Sequence, residues 1–405
     1  MKKYDTYKES KVLGLDRIPA HWGAERIKYL FSERGELSTT GDEQLLSVSE
    51  YYGVAPRTSV MEEGEFVTRA ESLVGYKKCF KGDLVSNIML AWKGSMGVTE
   101  HDGIVSPAYS VYVPKEGINP QYFHYLFRTD LFKTLFKIRS RGIIESRLRL
   151  YTPDFFDITA IVPPVEEQDA IVEYLSVKEA YILSSIASLE AEKRHLSDIL
   201  YSIIDETVKR GLCKNSSLKE SGVKWIGKIP QKWFIAPLKR AFVICNGKDY
   251  KDIQSETGYP VYGSGGQFAY ATQYIYDGEA LLLGRKGTID KPIYINGPFW
   301  TVDTMFYAIP NDSVCCKYMY YQAKTIPFGY YSTNTALPSM TQSDLGVNPM
   351  CIPPIEEQQA IAGFLDKKSA EINEAIATID AQIKALQDYR KSLIFEAVTG
   401  KIDVR

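Results

Sequence analysis

The chain has 405 residues, 45% of them hydrophobic and 24% charged, with a formal net charge of −2. That length exceeds what one hydrophobic core holds, so two or more domains are expected. The near-neutral charge excludes a protein that coats nucleic acid by bulk attraction, and any such role must rest on local patches or on partners.

No apolar run approaches the ~18 residues of a membrane span. The start, MKKYDTYKES, carries no apolar segment after its basic residues, so it does not read as a secretory signal. Six cysteines without C-x-x-C spacing and four scattered histidines argue against a zinc site. Reduced thiols in a cytoplasmic protein are the expectation.

The first element is an opening segment, KESKVLGLDRIPAHW (Lys8 to Trp22). It returns as KESGVKWIGKIPQKW (Lys219 to Trp233), with seven of fifteen positions identical. The Ile-Pro-x-x-Trp cluster is kept in both, and Lys28 and Phe31 match Lys239 and Phe242 at the same offset of 211. Next comes a body that mixes strand-like runs (SVYV, ITAIV) with the helical stretch QYFHYLFRTDLFKTLFKI, which predicts an α+β domain.

Two segments of this first body are candidates for contact with phosphates and bases. One is the turn in GDLVSNIMLAWKGSMG, from Gly82, with Trp92, Lys93 and Ser95. The other spans 128–149, where seven Lys and Arg stand against Asp130 and Glu145, a local net of +5. Lys137, Arg139, Arg141, Arg147 and Arg149 belong to it. Such a segment can lie along phosphates and offer an arginine to a guanine edge, but a solvated helix face followed by a loop explains it equally simply.

A joint follows. VPPVEEQDAIVEYL, from Val162, comes back as IPPIEEQQAIAGFL, from Ile352, with eight of fourteen positions identical. Proline suits the first turn of a helix, and Glu166, Glu167, Glu356 and Glu357 place negative charge at the positive end of its dipole. The joints therefore read as helix starts, and capping accounts for the carboxylates without catalysis. Beyond them the apolar period is seven: Leu175, Ile182, Leu189, Leu196 and Ile203 after the first, Leu365, Ile372, Ile379, Leu386 and Leu393 after the second. Each helix would run some 40 residues, about 60 Å. Two such stripes need partners. If they pair with each other across a pseudo-twofold axis, connectivity makes them antiparallel, with a body at each end and the C-terminus returning beside the opening segment. Packing of each helix on its own body, or on another molecule, is the competing arrangement.

The offset falls from 211 at the opening to 190 at the joint, so the second body is 21 residues shorter. It carries glycine-rich loops, PVYGSGGQFAYA and LLLGRKGTID. Neither has phosphate-loop spacing or the strand–turn–helix setting of a dinucleotide site. No Asn/Asp-Pro-Pro-Tyr/Phe motif of an amino methyltransferase and no nucleophile–base arrangement stands out. Candidate contact residues here are Ser264, Arg285, Lys286 and Thr288, with Tyr330, Tyr331 and Asn334 in GYYSTNTALPSM.

The doubled IPxxW opening, the doubled PPxEEQ joint, GRKGT, the two seven-spaced tails and the ending VTGKIDVR resemble the specificity subunit of type I restriction–modification systems. The resemblance covers nearly the whole chain. It implies α+β target recognition domains at 1–163 and 212–353, with coiled-coil helices at 164–211 and 354–405, forming an antiparallel pseudo-twofold dumbbell. It implies that each body reads one half of an asymmetric bipartite site in double-stranded DNA, while the helices set the spacing. It implies no catalysis in this chain. Two methyltransferase subunits would dock on the outer helix faces, 166–209 and 356–398, and motor–nuclease subunits would join the complex. S-adenosylmethionine, ATP and Mg would belong to those partners. A scaffold without DNA specificity and a stand-alone modification enzyme are the alternatives.

Overall fold

The structure, a computed structural model, describes residues 2–59, 72–213, 215–331 and 338–405. Around each repeated motif the chain forms the same two antiparallel ribbons. Tyr7–Glu9 pairs with Arg17–Pro19, and Gly23–Arg26 with Thr159–Val162. Leu218–Glu220 pairs with Lys228–Pro230, and Phe234–Pro237 with Pro349–Ile352. Each strand that enters a joint therefore lies beside the strand that follows a motif tryptophan.

Two long helices, Val165–Arg210 and Ile355–Val398, start at the joints and contain 46 and 44 residues, about 69 and 66 Å at 1.5 Å per residue. The chain divides into two compact units, 1–188 with 382–405, and 189–381. Each unit holds one body, the start of one long helix and the end of the other. These units run through the helices rather than stopping at 163 and 353. The reason is burial: Ile171, Leu175, Ile182, Leu393, Ala397 and Val398 belong to the first body's core, and Ile204, Val208, Ile361 and Leu365 to the second's. Among the seven-spaced residues, Leu175, Ile182, Leu365, Ile379 and Leu393 are buried. Leu189, Leu196, Ile203, Ile372 and Leu386 are half-buried. Glu179 pairs with Arg390 across the helices in the first unit, and Lys193 with Asp380 in the second.

The bodies differ. The first has a four-stranded sheet in the order Phe31–Glu33, Tyr109–Pro114, Leu84–Asn87, Met96–Val98, with two further two-stranded pairs, Leu46–Ser49 with Gly53–Pro56 and Lys77–Cys79 with Gly103–Val105. Its helical stretch breaks in two because Thr129 caps a fresh helix start. Pro120–Phe127 is followed by Asp130–Arg139, whose Phe132 N–H donates to the Thr129 hydroxyl. Phe31, Phe123, Phe127, Phe132, Phe136 and Phe155 fill the core between helices and sheet. The second body has a seven-stranded sheet, in which Tyr276–Gly284 lies between Met305–Pro310 and Ile293–Thr301.

The repeated motifs meet in space. The Trp22 indole N–H donates to Glu167 at 2.9 Å, and that of Trp233 to Glu357 at 2.9 Å. Gln168 accepts from the Asn119 N–H and donates to the Pro163 carbonyl. Gln358 accepts from the Cys315 N–H and donates to the Pro353 carbonyl. Every residue of Glu-Gln in the joint thus ties a helix start to its body. The far ends are tied as well: the Tyr122 hydroxyl donates to the Val398 carbonyl and that of Tyr318 to the Val208 carbonyl. Gly400 (φ 70°) and Gly211 (φ 75°) then turn the chain in the left-handed region. A side chain at Gly400 would land on Pro19 and Trp22, and one at Gly211 on Glu357 and Trp233. In both units the tryptophan sits between one helix's start and the other's end.

The first unit adds to this knot. Tyr4, His21 and Arg405 also bond Glu167, and Asp403 meets Lys2, so the chain's end lies beside the opening segment. Among the described residues no helix is long and apolar enough to cross a membrane. All six cysteines are free.

The unequal knots predict unequal sensitivity. Trp233→Phe deletes the indole donor to Glu357 and should destabilise by about 1.5–3 kcal/mol, the range for hydrogen bonds to charged groups. Trp22→Phe should cost less, since Glu167 keeps other donors. Urea titrations of the two variants followed by circular dichroism compare them, and equal losses would contradict the assignment.

His124 is half-buried, with its ring against Gly53 and Gly97, and its Nδ1 accepts from the Val98 N–H. Burial, with Arg128 and Arg390 nearby, pushes its pKa down to about 3. The folded state then stays unprotonated where the unfolded state gains a proton. Stability is full above the ordinary histidine pKa of about 6.5 and falls below it, by up to ~1.4 kcal/mol per pH unit until about pH 3. His124→Gln should flatten the melting profile between pH 6.5 and 4 relative to the natural chain.

Candidate nucleic-acid interface

In both bodies the cationic loop leaves the sheet at one equivalent place. Leu84–Asn87 pairs with Tyr109–Pro114, the strand before helix Pro120–Phe127, and runs on into the turn Ala91–Lys93. Tyr276–Gly284 pairs with Met305–Pro310, the strand before helix Cys316–Ala323, and runs on into Arg285–Thr288. The frame thus presents two different sequences from the same strand end.

In the first unit the Lys93 and Lys137 ammonium groups both lie over the Trp92 ring, 5.3 and 5.1 Å from its centre. The indole N–H is engaged by the Met89 carbonyl, which fixes the ring. Glu145 pairs with Lys137 at 2.5 Å, and that bond together with the lysine charges lowers its pKa. The segment 140–150 closes on itself through Arg141 and Arg149, whose backbones exchange two 2.9 Å hydrogen bonds.

The fold reduces the expected charge of this segment. Arg139 pairs with Asp157, which also holds Arg26, and Arg141 pairs with Asp154 at 2.7 Å. These aspartates lie outside 128–149, so the local excess is smaller than the linear count. Arg147 is exposed, and Arg149 donates to the Leu148 carbonyl. Two further expectations are corrected. Ser95 is only 1% exposed, and its hydroxyl donates to the Val48 carbonyl, so it lies inside the fold and not on a contact surface. Arg128, counted with the basic segment, turns inward. Its guanidinium donates to the carbonyls of Ser49, Glu50, Tyr51, Gly94 and Met96.

In the second unit the two glycine loops meet. A Cβ on Gly287 (φ 81°) would stand 3.2 Å from the Ser264 hydroxyl. Arg285 and Lys286 N–H groups donate to the Thr304 carbonyl, and Gly287 N–H to that of Pro338. The Arg285 guanidinium reaches the Asp303 carbonyl at 3.4 Å and lies over Phe306, while Lys286 is exposed and Thr288 half-buried. Tyr330 is exposed. Asn334 and the side chain of Tyr331 lie outside the described residues. No group of three or more His, Cys, Asp or Glu suited to a metal occurs among the described residues.

Tyr51, exposed beside the Trp92 turn, was absent from the sequence candidates, because nothing in SEYYG distinguishes a hairpin tip from any other turn.

Comparison with known proteins agrees with this architecture. The type I restriction modification DNA specificity domain matches residues 233–385. An inferred type I restriction enzyme specificity subunit, MjaX of Methanocaldococcus jannaschii, is 24% identical over 327 residues, covering 72% of this chain and 70% of its own. The EcoprrI specificity subunit of Escherichia coli is 26% identical over 110 residues, 27% of each chain. A chain from a solved structure of type I restriction–modification complex assembly and conformational transition superposes with a TM-score of 0.71 at 14% identity, covering 95% of this chain and 99% of that one. The HsdS subunit of Thermoanaerobacter tengcongensis superposes at 0.50 with 15% identity, covering 96% and 100%. At such identities these likenesses establish the mixed α/β fold.

Proposed function

We infer the function from the family to which this chain belongs, the specificity subunits of type I restriction–modification systems. Its role is DNA sequence recognition. In this reading each body takes one half of an asymmetric bipartite site in double-stranded DNA. The observation that carries it is the recurrence of one frame around two unlike bodies, each with a cationic loop at the same strand end. Direct readout needs donors placed against base edges, and phosphate contacts need flanking cations. Trp92, Lys93, Lys137, Arg139, Arg141, Arg147 and Arg149 would serve the first half-site. Ser264, Arg285, Lys286, Thr288 and Tyr330 would serve the second.

The paired long helices would act as the spacer of a dumbbell, and their outer faces would dock two methyltransferase subunits, with motor–nuclease subunits joining through the complex. S-adenosylmethionine, ATP and Mg would be held by those partners, leaving this chain without a catalytic step. The partners would also supply positive surface that a chain of net charge −2 lacks.

Genome-wide methylation mapping in cells expressing the chain with its partner subunits tests the reading. A split motif with two unlike halves is expected; methylation without a motif would instead favour a scaffold. Arg285→Ala should relax one half of that motif by about 1–3 kcal/mol if the guanidinium reads a base, and an equal loss on all sequences would make it a phosphate contact. Glu145→Gln releases Lys137 from its partner. It should tighten binding on all sequences and steepen the dependence of log K on log salt by up to about one, measured by fluorescence anisotropy at several salt concentrations.

A further inference from the structure

The Arg128 guanidinium joins two loops that the sequence separates. It takes carbonyls of the hairpin tip (Ser49, Glu50, Tyr51) at 2.9–3.3 Å and carbonyls beside the Trp92 turn (Gly94, Met96) at 3.1 and 2.9 Å. Two other contacts close the same seam: the Ser95 hydroxyl on the Val48 carbonyl, and the approach of Gly53 to Gly97 over His124. A side chain at Gly97 would meet the Gly53 Cα at 3.2 Å, so the two backbones approach closely at the seam. The hairpin strands Leu46–Ser49 and Gly53–Pro56 are thereby held against the strand Met96–Val98.

What the seam presents is Tyr51, 82% exposed at the tip, next to the turn that carries Trp92 and Lys93. Three hydrogen bonds from Arg128 hold the backbone of the tip that carries this exposed tyrosine, whose hydroxyl is able to donate or accept. Arg128 itself is not offered to phosphate, since both of its terminal nitrogens are committed to loop carbonyls.

We propose that Tyr51 contacts base edges of the first half-site as one surface with Trp92 and Lys93, and that Arg128 is the positioning residue that holds this surface together. The inference rests on the DNA-recognition reading above. An ammonium has three donors and no planar fork, so lysine cannot span both loops.

The test uses the full chain in complex with its methyltransferase partners and every single-base variant of the mapped site, in competition binding. Tyr51→Ala, an exposed change that leaves the fold intact, should relax one or two adjacent base pairs of one half-site by roughly tenfold and leave the other half-site alone. Arg128→Lys should relax the same base pairs without changing the salt slope. A Tyr51→Ala complex that discriminates as the natural one does, an Arg128→Lys loss that is uniform across all sequences, or a salt slope reduced by about one in Arg128→Lys would each overturn the proposal. Absence of preference at both half-sites in the natural complex would overturn the recognition reading itself.

Discussion

An indole–carboxylate hydrogen bond at the start of each long helix, buried in the first unit and half-buried in the second, is the interaction on which the rest of this molecule depends. A carboxylate taken out of water costs several kcal/mol unless donors replace the solvent. Burial works to raise the pKa of Glu167, but hydrogen bonds from Trp22, His21 and Tyr4 outweigh it and the pKa is lowered. The charge also faces the positive end of the helix dipole. Because the same tryptophans lie against Gly400 and Gly211, one residue in each unit registers both a helix start and a helix end. The long seam needs such registration. A seven-residue stripe alone can slide by a heptad, whereas an indole fitted against a left-handed glycine turn fits in one position.

With the ends held, the bodies are free to differ. A four-stranded sheet with two aromatic-packed helices occupies one unit, and a seven-stranded sheet the other. What they share is the ribbon before the joint and the strand end from which the cationic loop departs. The rest of each body differs, down to the number of strands in its sheet.

Charge follows the same division. Several cations of the first body lie where aromatic rings and carboxylates hold them in place: Lys93 and Lys137 over Trp92, with Glu145 beside them, and Arg139 and Arg141 against Asp157 and Asp154. Exposed pairs of this kind contribute little stability. Their effect is to orient cations and to lower the nonselective attraction that a bare patch of the same residues would exert.

The sequence by itself determined what local rules decide. Helix starts were legible from proline and glutamate at the joints, the seam from its period of seven, and the duplication from two echoes at different offsets. Those signals depend only on neighbours along the chain, where 3.6 residues per turn and the dipole leave few choices. Tertiary structure alone decided which way side chains face once distant segments pair. Ser95 and Arg128 stand in a basic, polar context and look like surface residues, yet the hairpin at Leu46–Pro56 covers both. Asp154 and Asp157 lie beyond the basic segment and still neutralise it. Ser264 meets Gly287 only because two sheet edges converge. Each of these contacts joins residues far apart in the chain, and no spacing rule carries that information. The frame of the protein was therefore readable from residue order, and the arrangement of its loops emerged only when distant segments were brought together.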